Sequence, residues 1–150
     1  MFPIPYRRLP AMLLFACWAL CVSSGLIAEG STEAKRTVVY HLDDSKQAIA
    51  MLRNINNHHA ADPTIHIVVV ALGAGVDFLL DGHADDRGNS YDALVDPLML
   101  EGVEFRVCGN TLKSRSIDAA SLLPDVQIVP SGVAEIARLQ IAEGAAYIKP

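Results

Sequence analysis

The sequence predicts an α/β fold, a three-layer α/β/α sandwich around a mostly parallel sheet of about five strands. Short β-branched apolar runs alternate with segments whose apolar residues recur at helical spacing, and no block consists of strands alone. The strongest run, "TIHIVVVAL" at 64–72, is almost continuously apolar, as a strand covered on both faces must be. Right-handed crossovers between successive parallel strands then place helices on both faces of the sheet.

The elements follow in order. "TVVYHL", 37–42, is the first strand. Asp44 is placed to cap a helix, with Gln47 three positions on to complete a capping box. Ala48, Met51, Leu52 and Ile55 give that helix one apolar side, and Pro63 stops it. After the second strand, "GAGVDF" is a tight turn, because it lacks the third glycine of a dinucleotide fingerprint and follows the wrong strand. The polar loop "DGHADDRGNS" leads to a second helix from Ser90 to about Glu101, with Pro97 inside it or near its true start. "VEFRVC" is the third strand, with Val103, Phe105 and Val107 on one side and Glu104, Arg106 and Cys108 on the other. A short helical segment is expected near Ile117 to Leu122, then a fourth strand at "VQIV". Ser131 caps a last helix closed by Gly144, whose apolar residues exceed one stripe, and "AAYIK" supplies a short fifth strand.

Composition sets limits on function. The chain has 150 residues, 51% hydrophobic, enough for one domain (37–150) plus a processing segment. Residues 1–28 have the order of a secretory signal peptide: Arg7 and Arg8, an apolar run from Ala11 to Val22, then small residues. Uncleaved and extended to Ala28, the same segment reaches the ~18 residues a membrane span needs, so a retained anchor is the alternative. Residues 29–36 read as a flexible leader. The expected location is periplasmic or otherwise exported. Of 12 basic residues two lie in the signal segment, which leaves 10 against 17 acidic. An acidic body without basic clusters speaks against nucleic acid, and against a membrane surface beyond the signal segment, as partners.

Cys17 and Cys21 fall in the signal segment, so Cys108 is left unpaired. An odd cysteine in an exported protein is a reactive thiol, an intermolecular bridge or a small buried apolar side chain. Its position favours chemistry, because ligands of open parallel sheets meet the loops at the carboxyl ends of strands. A thiol reacts as thiolate, so cations and amide donors are wanted around it. Arg106, Lys113 and Arg115, with the N–H groups of Gly109 and Asn110, are the expected thiolate environment, and each cation has an ordinary surface role as its alternative. His41, at the mouth of the first strand, is the one histidine placed to assist with protons. His66 reads as structural, and His58 and His59 as helix-end residues. "DGHADDRGN" lacks the glycine and closing glutamate of a calcium loop, and neither a metal nor another cofactor is expected.

The segments "VVYHLDD", "IHIVVVALGAGVDFLL", "GVEFRVCGNTLKSRSID" and "LLPDVQIVPSGVAEIARLQIAEGAAYIKP" together resemble the DsrE/DsrF-like family of small sulfur-relay proteins, and within it an exported branch. The resemblance implies a compact α/β/α sandwich assembling into homotrimers or homohexamers. It also implies sulfur carried as a persulfide on a cysteine in the pattern V-C-x-x-x-L-x-x-R. Val107, Cys108, Leu112 and Arg115 match that pattern, so the resemblance assigns the sulfur-accepting role to Cys108. Sulfur-donor and acceptor thiol proteins are then the expected partners. The alternative is a non-catalytic oligomeric module that binds a small molecule and uses the cysteine for structure.

Overall fold

The computed structural model describes residues 36–150; the expected signal segment, and the leader apart from Arg36, lie outside the described residues. Five strands, β1 (Thr37–Leu42), β2 (His66–Ala71), β3 (Glu104–Cys108), β4 (Gln127–Val129) and β5 (Ala146–Ile148), form one sheet in the order β4-β3-β2-β1-β5. Every pairing is parallel. The helices are α1 (Ala48–Ala61), α2 (Asp92–Leu100), α3 (Gly109–Arg115) and α4 (Gly132–Glu143). Among the described residues no helix is long and apolar enough to cross a membrane.

Strand order dictates the layers. From β1 to β4 the chain steps across the sheet in one direction, so right-handed crossovers put α1, α2 and α3 on one face; the return to β5 puts α4 on the other. The cores match this division. Tyr40, Leu42, Ile67, Val69, Phe105 and Val107 pack with Met51, Leu52 and Ile55 of α1, Val95 and Leu98 of α2, and Leu112 of α3. On the opposite face Val39, Val68 and Val70 meet Ile136 and Leu139 of α4. Leu139 is fully buried, a contribution of about 1.5–3 kcal/mol for a side chain of this kind. Val133 and Ile141 of α4 are left 64% and 86% exposed, so the surplus apolar residues of that helix point away from the sheet.

The local differences from expectation have local causes. Asp44 caps a 3-10 turn, Ser45–Gln47, by accepting from the Lys46 N–H at 3.0 Å, and α1 proper begins at Ala48. Pro97 lies inside α2. The "GAGVDF" turn is a 3-10 segment, Gly73–Leu79. The helix after β3 starts at once, at Gly109, whereas only a 3-10 turn, Ala119–Ser121, occupies the region where a helical segment was expected. Asp85 accepts from the N–H groups of Arg87 and Asn89 and from the Asn89 amide, which ties the acidic loop to itself.

One consequence of this topology places the site. The loop after β3 turns to the α3 face and the loop after β4 to the α4 face. The crevice at the carboxyl ends of β3 and β4 is therefore the topological switch point, where open α/β sheets receive ligands. Cys108 is the last residue of β3.

Candidate functional site

Cys108 stands in the N-cap position of α3, with extended backbone (φ −73°, ψ 113°). From an N-cap a side chain faces the first free N–H groups of the helix. Gly109 fits the first turn because it is pressed on β4: a Cβ there would lie 3.1 Å from the Val129 carbonyl oxygen. The second wall is the start of α4. A Cβ on Gly132 would lie 3.1 Å from Cβ of Cys108 and 3.1 Å from Cδ2 of Leu72, so a larger residue there would press both side chains aside by a few tenths of an ångström. Two helix starts thus converge on one sulfur.

Cys108 is a free thiol, 7% exposed. Burial pushes its pKa up, but the donors outweigh burial. The Gly132 N–H, the Thr111 hydroxyl, and the N–H groups of Thr111 and Asn110 bring the thiol below its ordinary range. The Asn110 N–H is shared, since it also donates to the Pro130 carbonyl at 3.3 Å. Thr111 is itself buried and accepts a hydrogen bond from the Gly73 N–H at 3.0 Å.

The cations expected around the sulfur are held elsewhere. Arg106 shares the face of Cys108, but its guanidinium donates to Glu135 of α4 and, at 2.5 Å, to Glu104. Glu104 also meets His66 at 2.8 Å, and Arg138 donates to Glu135 at 2.8 and 3.0 Å, so these residues form a part-buried ion network beside α4. Arg115 donates to the Gly73 carbonyl at 2.9 Å and pairs with Asp77 at 2.8 Å. Lys113 and Asn110 have exposed side chains. His41 lies on β1, separated from β3 by β2 and so about 10 Å away. Its Nδ1 meets the Tyr147 hydroxyl at 2.7 Å; burial first, then Lys149, lowers its pKa against the opposing pull of Asp43. His58 and His59 pair with the Tyr40 hydroxyl at 3.0 Å and Glu101 at 3.2 Å.

Of the residues expected around the sulfur, the fold therefore brings Asn110 to Cys108 through its backbone N–H, while Gly109 serves by its close approach to β4. The fold adds two that sequence reasoning missed, Thr111 and Gly132. A signal for Gly132 existed in the small residue just after the capping Ser131, at the end of the strand beside β3. Thr111 had only its helical position to mark it. The groove between the start of α1 and the 83–91 loop is not lined by Cys108. Among the described residues no group of three or more His, Cys, Asp or Glu is arranged to hold a metal ion.

The comparisons agree with this architecture. Protein MTH1491 of unknown function from Methanobacterium thermoautotrophicum is 37% identical, with a TM-score of 0.66 over 77% of this chain and 99% of that one. The ychN protein from E. coli, at 15% identity, shares the fold with a TM-score of 0.65 over the same proportions. No curated protein matches the chain. The model of the DsrE/DsrF-like family matches residues 37–150, the whole of the folded body just described, and the chain belongs to that family.

Proposed function

We propose that this protein is a sulfur carrier that holds sulfane sulfur as a persulfide on Cys108, in sulfur oxidation or sulfur trafficking. The observation that carries the reading is the thiol itself, set at the switch point of the sheet under amide and hydroxyl donors that favour its thiolate. Membership of a family linked to sulfur relay supports it.

The chemistry needs no oxidant or cofactor. The Cys108 thiolate attacks the outer sulfur of a donor such as thiosulfate. A sulfur–sulfur bond forms to Cys108, the donor's own sulfur–sulfur bond breaks, and sulfite leaves with the electron pair. An acceptor thiolate then attacks the outer sulfur, and Cys108 departs as thiolate. Donors that stabilise the thiolate promote both its presence before attack and its departure afterwards.

The test is the rate of thiol alkylation against pH, on native and unfolded protein. The expected native midpoint lies below the ~8.5 of a free cysteine, because a lowered pKa keeps the reactive thiolate present at lower pH. A second reading, a binding module with a structural cysteine, draws on the 7% exposure of Cys108. It requires a thiol that stays silent until the protein unfolds, and that outcome would replace the carrier reading.

The same proposal takes the working form to be an exported homotrimer or homohexamer, supported by the exposed Val133 and Ile141 of α4. Sedimentation equilibrium is expected to give three or six chains; a monomer would remove this part of it.

A further inference from the structure

Thr111 belongs to no expected site, yet it is one of the few buried polar side chains among the described residues. Its hydroxyl oxygen accepts the Gly73 N–H at 3.0 Å. A threonine hydroxyl has one proton to give. With the oxygen's acceptor side occupied by Gly73, that proton is free to turn toward Cys108, three residues earlier across the first turn of α3.

Gly73 is held in place from its other side. Its backbone is left-handed (φ +59°), a conformation that favours glycine. Its carbonyl accepts from Arg115, which also anchors Asp77 of the same 3-10 segment. Thr111 and Arg115 stand four residues apart on α3 and so on one side of it. Between them they grip both polar groups of the Gly73 residue. The chain of hydrogen bonds runs from Arg115 to Gly73 to Thr111, which stands one helical turn after Cys108.

We propose that Thr111 is the positioning residue of the Cys108 thiolate, its hydroxyl aimed at the sulfur by the Gly73 N–H, and that Arg115 acts on the sulfur only through Gly73. The inference rests on the reading that Cys108 works as a thiolate. It gives the motif arginine a role other than that of a neighbouring charge.

The experiment follows the pH dependence of Cys108 alkylation in the full chain for wild type, Thr111→Val and Thr111→Ser. Loss of one hydrogen bond to a charged sulfur is expected to raise the midpoint by about one pH unit in Thr111→Val, while Thr111→Ser keeps the wild-type midpoint. Should the valine variant not fold, Thr111→Ala removes the same hydroxyl with less crowding and reads the same quantity. A midpoint unmoved without the hydroxyl, or moved as far by serine as by valine, overturns the proposal. Arg115→Gln is expected to raise the midpoint in the wild-type background and not in Thr111→Val; equal shifts in both would show that Arg115 acts independently. Alkylation counts ionised thiol, not transferred sulfur. A Cys108 that ionises but never gains sulfur therefore sinks the carrier reading and leaves this result legible.

Discussion

Cys108→Ser is expected to leave the fold intact and to abolish sulfur uptake. Incubated with polysulfide or thiosulfate, the wild-type protein without residues 1–28, in which Cys108 is the one cysteine, should gain one sulfur atom by intact mass, and the variant none. The physical reason is twofold. A serine hydroxyl is not ionised at neutral pH and forms no persulfide. It is, however, a favoured N-cap, and Cys108 occupies the N-cap position of α3 with the N–H groups of Asn110 and Thr111 before it. The oxygen can accept what the sulfur accepted, so the melting temperature should stay within a few degrees of wild type. That separation makes the variant informative: a loss of uptake in a folded protein belongs to the sulfur atom, whereas equal uptake by the serine variant removes Cys108 from the mechanism.

Gly75→Ala carries the largest expected loss of stability. A Cβ at this position would lie 2.3 Å from the Leu42 carbonyl oxygen, 2.6 Å from its carbon and 2.9 Å from Cα of Asp43. All three are backbone atoms at the end of β1, so no side chain can rotate away, and either the 3-10 segment or the strand must move. A cost of about 3 kcal/mol or more is expected, at the upper end for overpacking, with a fall in melting temperature of about 10 °C. Gly82→Ala is the control. Its φ of +70° is unfavourable for alanine, but nothing lies within 4 Å of its added Cβ, so a loss of only about 1 kcal/mol is expected. If the two variants melt together, close approach is not what requires glycine at 75. Because Gly73 belongs to the same segment and orients Thr111, Gly75→Ala should also raise the alkylation midpoint of Cys108.

The two kinds of information in the sequence were unequally legible. Strands with a continuous apolar run, such as His66–Ala71, announce themselves because burial on both faces leaves no polar alternation. The place of Cys108 followed from the topology, since any parallel sheet gathers its strand ends on one edge. α3 escaped notice because it buries only Thr111 and Leu112 and begins with a glycine and an asparagine, which look like a loop. The thiolate environment was read from nearby charges, and that reasoning has a specific weakness. Arg106 and Arg115 are close to Cys108 in the chain, but their guanidinium groups are engaged by Glu104, Glu135 and Asp77. Glu104 stands in "EFRVCGNTLKSR" itself, but nothing local in that stretch shows Glu135 arriving from α4 or Asp77 from the 73–79 segment. The N–H of Asn110 was legible from its place just after the strand, whereas Gly132 reaches the sulfur only after β4 has docked beside β3.

The strand order has a kinetic corollary. β5 adds to the outer side of β1, with Val38, Val39 and Tyr40 opposite Ala146, Tyr147 and Ile148, so the first and last strands of the domain are neighbours. Pairing of segments so distant along the chain is slow to nucleate. A chain emerging amino end first holds one border of β1 open, its hydrogen-bonding groups unmatched, until residues 146–148 arrive. That interval is when newly made copies are most vulnerable to joining one another strand to strand.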